Sequence, residues 1–251
     1  MPDLAWNKAT WDGAYDWNRR GHEWSAPWGG SAGMFFSTLM PRLAAVLPAG
    51  AVLELAPGHG RCTAFLLRFC RSYHGVDLSE QCVAFCRERF AGRPDTAFHV
   101  NDGLSLQAVA AQRFDLVFSF DSLVHADLPV LEAYVPQVLG LLNPGGVAFL
   151  HHSNLAAFPE VKEYQSRSTS VSAPLVASLV ERHGGRVLVQ EMFNGEPTVA
   201  YDCFTTFCRG ADHAGLDRRQ VFNPRLMMFE GALARDFHAP YHRLLPADTL
   251  A

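Results

Sequence analysis

Ala51-Val52-Leu53-Glu54-Leu55-Ala56-Pro57-Gly58-His59-Gly60-Arg61 is the stretch whose reading decides the fold. Its first five residues, apolar except for Glu54, read as a buried strand, and the run Cys62 to Phe69 that follows reads as a helix. Between them Gly58 and Gly60 put two residues without a Cβ where the backbone bends sharply and a ligand can approach closely. The N-terminus of the following helix carries a partial positive potential. In doubly wound α/β proteins a turn of this kind, at the C-terminal end of the first strand, is where nucleotide-like ligands bind. A dinucleotide fingerprint wants a third glycine near Thr63, and there is none. Glu54 also has the wrong charge to cradle phosphate; it suits a cationic or amine-bearing ligand. The competing reading is an ordinary tight strand-to-helix turn.

Further strand ends support the ligand reading. Ser72 to Ser79 reads as a second strand ending at Asp77, 23 positions after Glu54, near the spacing at which an acid meets ribose hydroxyls. One carboxylate can accept from both hydroxyls of a ribose. A helix over Glu80 to Phe90 leads to a third strand, Thr96 to Val100, which runs into Asn101-Asp102-Gly103. Asp102 there can accept from an adenine amine, although Asn-Asp-Gly is also common turn chemistry. A fourth strand, Phe114 to Phe120, ends at Asp121. Four successive strand ends thus carry Glu54, Asp77, Asp102 and Asp121, more than chance turns readily explain.

The chain resembles the class I S-adenosylmethionine-dependent methyltransferases, and within them a bacterial small-molecule group from sugar and secondary-metabolite pathways. The likeness rests on Trp24-Ser25-Ala26-Pro27-Trp28-Gly29-Gly30-Ser31, on Leu53 to Arg61 and on Gly75 to Ser79. It continues through Val100 to Gly103, Phe118 to His125 (FSFDSLVH), Asn143 to Gly146 and His151-His152-Ser153-Asn154, so it covers nearly the whole chain. Ala56 and His59 depart from it, standing where many superfamily members have glycine and a small residue. The resemblance implies S-adenosylmethionine as methyl donor, its methionine ammonium near Glu54. Glu54, Gly58, Gly60, Asp77, Leu78, Asp102, Gly103 and Phe120 would hold it.

The expected fold is α/β: a doubly wound, seven-stranded, mostly parallel sheet with an antiparallel C-terminal strand, flanked by helices. Strands are expected at 51–55, 72–77, 96–100, 114–120, 147–151, 186–192 and 202–209. At 251 residues the chain suits one domain: an aromatic segment 1–33, a core 34–210 and a helical tail 211–251 that Pro240-Tyr241 ends. An apolar share of 49% against 18% charged describes a globular chain with a sizeable core. A net charge of −4 without basic runs argues against nucleic-acid capture. No apolar run is long enough to span a bilayer and no signal peptide is visible, so a cytoplasmic location is expected. Six cysteines without a Cys-x-x-Cys read as reduced structural thiols.

Transferring a methyl from a sulfonium is an in-line displacement that needs a dry, ordered site, and a hydroxyl acceptor also needs a base or a metal. Asp121 and His125 lie just past the fourth strand; four apart on a short helix they would share a face, Asp121 stabilising an imidazolium. The alternative is that Asp121 caps that helix and His125 packs beneath it. His151 and His152 close the fifth strand and point to opposite faces, so at most one reaches the site. His152 is taken as the catalytic aid and His151 as a substrate contact; with Asp121 and His125 either could complete a divalent-metal site. Trp24 and Trp28, from a dense set of five tryptophans, are the expected lid over donor and acceptor. The function expected is O-methylation of a sugar or secondary-metabolite hydroxyl. Its rivals are N-methylation of a small amine and a non-catalytic nucleotide-binding module.

Overall fold

The computed structural model describes residues 2–196, 198–242 and 244. Eight strands form one sheet: β1 (Ala49–Leu55), β2 (Cys70–Asp77), β3 (Thr96–Val100), β4 (Phe114–Ser119), β5 (Leu142–Ser153), β6 (Gly185–Glu196), β7 (Val199–Arg209) and β8 (Arg219–Asn223). Their order is β3-β2-β1-β4-β5-β7-β6-β8. The first five are mutually parallel, and β7 runs antiparallel to both β5 and β6. Seven of these strands coincide with the expected ones. The eighth falls in the tail expected to be helical, where Arg219–Asn223 pairs parallel with β6. Helices do follow, over Leu226–Leu233 and on to Ala239–His242, so the backbone stays helical through Pro240 instead of stopping there.

Alternation along the strands divides the core. On β1, Val52 packs with Phe35, Phe65 and Tyr73 on one face, while Leu53 and Leu55 pack with Val117, Leu131 and Val135 on the other. β4 and β5 follow suit: Phe118 stacks on Phe149 with ring centroids 5.9 Å apart on the first face, and Leu150 joins the second. The chain reverses direction across the sheet between β1 and β4, because β2 and β3 lie to one side of β1 and β4 to the other. A crevice opens at such a switch point, outside the carboxyl ends of the strands.

Two strand-end turns are locked together there. Ser119 Oγ donates to the Leu55 carbonyl at 3.0 Å and Ser122 Oγ to the Ala56 carbonyl at 2.9 Å. Ala56 and Asp121, which follow β1 and β4, both have left-handed backbones, with φ of 55° and 59°. A non-glycine residue costs about 1–2 kcal/mol in that region. Ala56→Gly should therefore raise stability by roughly 0.5–1 kcal/mol after glycine's extra unfolded-state entropy is subtracted. Equilibrium denaturation of the two proteins checks this.

Candidate active site

Two cavities adjoin at the carboxyl edge of the sheet. The first runs from β2 to β4 and is lined by Glu54, Gly58, Asp77, Leu78, Gly103 and Phe120 together with N-terminal residues. Glu54 shares the face of Val52 and is 3% exposed. Its Oε2 accepts from Thr63 Oγ1 at 2.7 Å and from Tyr73 Oη at 2.5 Å. Burial drives its pKa up to about 7, although those hydroxyls and the Arg61 charge oppose the rise. Asp77, also buried, accepts from the Gly58 N–H at 3.0 Å and from the Ser79 N–H at 2.9 Å. Burial raises its pKa to about 6 against those backbone donors.

Two expected donor-site residues stand differently. Asp102 is exposed and does not line the cavity; its Oδ1 accepts from Leu104 N–H and Ser105 N–H, so the carboxylate closes its own turn. Gly60 is absent from the wall, because a Cβ there would meet the Phe90 ring at 2.6 Å and not a ligand. Gly58 and Gly103 do bare their backbones to the cavity, but a Cβ on them would touch Trp17 at 2.9 Å and Leu4 at 2.3 Å. The N-terminal segment thus already lies on both glycines. Asp12 anchors it by accepting from Ser79 Oγ and Gln81 N–H, and Asn7 by donating to the His125 carbonyl. His59 is sandwiched between Trp17 and Phe85 at centroid distances of 4.4 and 3.9 Å, and burial first, then Arg20 and Arg89, lowers its pKa to about 4.

The second cavity, of about 620 Å³, lies beyond β4 and β5 and is walled by Trp6, Trp11, Trp24, Trp28, Phe120 and Met228 among others. Trp24 lines both cavities; Trp28 lines only the second and is a core residue whose Nε1–H donates to Thr38 Oγ1. Asp121 and His125 both face this second space, yet they do not pair with each other. Asp121 binds Arg61 Nη2 at 2.8 Å, because the left-handed turn after β4 aims its carboxylate back at the β1 loop. Burial would raise its pKa; the Arg61 guanidinium, with Arg167 behind it, outweighs burial and holds it below its ordinary value. His125 closes a 3₁₀ turn, Leu123–His125, and its Nδ1 is 2.7 Å from the Ser166 carbonyl. A carbonyl only accepts, so Nδ1 carries the proton and Nε2 keeps its lone pair. Burial depresses the His125 pKa, which leaves the ring neutral near pH 7.

The two β5 histidines are assigned by the strand alternation. His151 shares the face of Phe149, lines the second cavity and stands 3.5 Å from Asp202 Oδ2. Its Nδ1 accepts the Asp121 backbone N–H at 3.0 Å, so that lone pair is already committed. His152 points to the opposite face, fully buried, with Thr205 Oγ1 at 2.7 Å and the Ser153 carbonyl at 2.8 Å. It reaches neither cavity, which removes it from the catalytic set. Asp202 is a further wall of the second cavity, clamped by Arg167 at 2.5 and 2.9 Å. Burial is outweighed there by His151 and Arg167, and its carboxyl stays well below the usual range. Arg61, Arg167 and Trp11 are further wall residues that sequence reasoning missed; only the placement of Arg61 right after the glycine turn signalled any of them. Among the described residues no three His, Cys, Asp or Glu side chains converge as a metal site, and no helix is long and apolar enough to cross a membrane. All six cysteines are unpaired.

Residues 52–146, the stretch from β1 to the start of β5, match the family model of a methyltransferase domain. Over that stretch the chain is similar to a methyltransferase domain. Solved structures share its fold at low identity. A S-adenosylmethionine-dependent methyltransferase from Clostridium acetobutylicum ATCC 824 superposes with a TM-score of 0.58 at 14% identity, over 79% of this chain and 97% of that one. The N-methyltransferase NodS from Bradyrhizobium japonicum WM9 gives 0.53 at 16%, over 68% and 93%. The CcbJ methyltransferase from Streptomyces caelestis gives 0.54 at 17%, over 71% and 94%.

The residues at this edge fit S-adenosylmethionine, the donor that the sequence resemblance implies, chemically. A buried acid with its oxygens held by backbone N–H groups suits a ribose, and a buried Glu54 suits an ammonium. The space left beside them is about 90 Å³, well under the roughly 300 Å³ of small-ligand sites. For that donor to enter, Trp17 and Leu4 would have to withdraw from Gly58 and Gly103. S-Adenosylhomocysteine added to the protein should change its tryptophan emission, and Trp17→Phe should remove a large part of that change. An emission spectrum unaltered by saturating ligand would contradict this displacement.

Proposed function

We propose that the enzyme transfers a methyl group from S-adenosylmethionine to a hydroxyl of a small molecule, a sugar or a secondary metabolite, with His125 as general base. The observation that carries this reading is the fixed tautomer of His125. Its Nδ1–H is donated to the Ser166 carbonyl, so a neutral Nε2 lone pair is available at the aromatic-walled cavity. His151, by contrast, has its Nδ1 lone pair occupied by Asp121 N–H and acts as a positioning residue. Glu54, Gly58, Asp77, Leu78, Gly103 and Phe120 hold the donor, which supplies the electrophilic methyl on a positively charged sulfur. Trp6, Trp11 and Trp24 exclude water from the acceptor space, strengthening the electrostatics within it. A volume of about 620 Å³ suits an acceptor of the size of a monosaccharide or a bicyclic aromatic.

N-methylation is the second reading, favoured by the fold likeness to NodS, an N-methyltransferase. A neutral amine needs no strong base, so one variant separates the two. With phenolic, sugar and amine acceptors screened by S-adenosylhomocysteine release, His125→Gln should lower turnover of a hydroxyl acceptor about 10²–10⁴-fold. Unchanged turnover would remove the general base. The wild-type rate should fall as pH drops through the depressed His125 pKa, below the ordinary imidazole value of about 6.5, and His125→Gln should lose that acid limb.

Glu54 predicts a second pH effect. In the free protein it titrates at about 7, and a bound ammonium favours its ionised form. Donor binding then expels a proton below pH 7, so affinity should weaken as pH falls, by up to about tenfold per unit. Calorimetry at several pH values should show this slope, and Glu54→Gln should flatten it.

A further inference from the structure

Of the arginines that line the two cavities, Arg61 is common to both. It is 6% exposed and sits at the seam, with its guanidinium 5.2 Å from the Trp24 ring and 5.5 Å from the Phe120 ring. Nη1 donates to Ser25 Oγ at 3.0 Å and Nη2 to Asp121 Oδ2 at 2.8 Å. Asp121 thus satisfies the cation across the boundary where donor and acceptor must meet.

The amino-acid head of the donor is a zwitterion, an ammonium and a carboxylate on one carbon. A site for it needs an anion and a cation close together. Glu54 supplies the anion, and Arg61, at the far end of the same turn and close enough to lower the Glu54 pKa, is the cation nearest to hand. Sheet order favours Arg61 over Arg20, the other arginine that lines the first cavity. With the ribose on Asp77 at the end of β2, the amino-acid head extends towards β1 and β4, where Arg61 touches Asp121 and Phe120. Arg20 lies exposed on the opposite side, over Phe85 of the helix that follows β2. A guanidinium is planar and presents paired donors that match a carboxylate.

We infer that Arg61 is the receptor for the donor's carboxylate, which replaces Asp121 as its ionic partner. This rests on the donor reading given above. The exchange breaks no covalent bond; one carboxylate takes the place of another. Asp121 then faces the acceptor cavity beside His125 with its charge no longer neutralised. Donor loading, on this account, is what turns the acceptor side from a closed ion pair into a competent site.

The test is calorimetric and needs no acceptor. Wild type, Arg61→Met and Arg61→Lys are each titrated with S-adenosylmethionine and with its decarboxylated analogue, which keeps the adenosine, sulfonium and amine. Wild type should prefer the carboxylate-bearing ligand by on the order of ten- to a hundredfold, the range of charge-assisted hydrogen bonds. Arg61→Met should bind the two equally, and Arg61→Lys should retain an intermediate preference. Because the ratio is taken within one protein, loss of folded material in a variant cancels. A wild type without preference, or an Arg61→Met that keeps the wild-type ratio, would overturn the assignment. Wild type binding neither ligand would instead overturn the donor reading, and this inference with it.

Discussion

Everything at this site depends on β1 lying between β2 and β4 in a parallel sheet. Parallel strands bring their C-terminal ends to one edge, and the change of direction at β1 leaves a gap there that side chains do not fill. Glu54, Asp77 and Asp121 are far apart in the chain and meet only because three strands end together. Their charges are then forced into a poorly solvated crevice. The protein compensates each one differently: hydroxyls for Glu54, backbone N–H groups for Asp77 and a guanidinium for Asp121.

Those three solutions divide the work. Glu54 is left close to the pH of the cell and so responds to a cationic ligand. Asp77 spends one lone pair on each backbone donor and keeps others for hydroxyls. Asp121 is neutralised by an arginine that lines both cavities, and its backbone N–H meanwhile fixes His151. The second cavity is thereby linked to the first through one ion pair, and the tryptophan-rich N-terminal segment covers both.

The carboxyl-edge acids were legible in the sequence because a strand that ends in an acid before a turn is a local pattern. His125, expected to share a face with Asp121, lines the same cavity but pairs with the Ser166 carbonyl instead. Asp102 misled because Asn-Asp-Gly is compatible with both a ligand contact and a closed turn, and the turn's own N–H groups won the carboxylate. Gly60 misled because its missing Cβ makes room for Phe90 and not for a ligand. The tail strand Arg219–Asn223 was hidden because its pairing partner, β6, lies some thirty residues earlier, and its own exposed, mostly polar residues carry no alternation.

The sequence alone determined the α/β class, seven of eight strands, and the placing of Glu54, Asp77, Asp121 and Gly58 at the carboxyl edge, since these follow from short-range periodicity and turn chemistry. Only the tertiary structure decided which side chains face each other. It turned His151 towards the second cavity and His152 into the opposite core, paired Asp121 with Arg61 instead of His125, and laid Trp17 and Leu4 on Gly58 and Gly103. These outcomes depend on strand face, on a left-handed turn and on how a distant segment packs. None of them is written in the spacing of neighbouring residues.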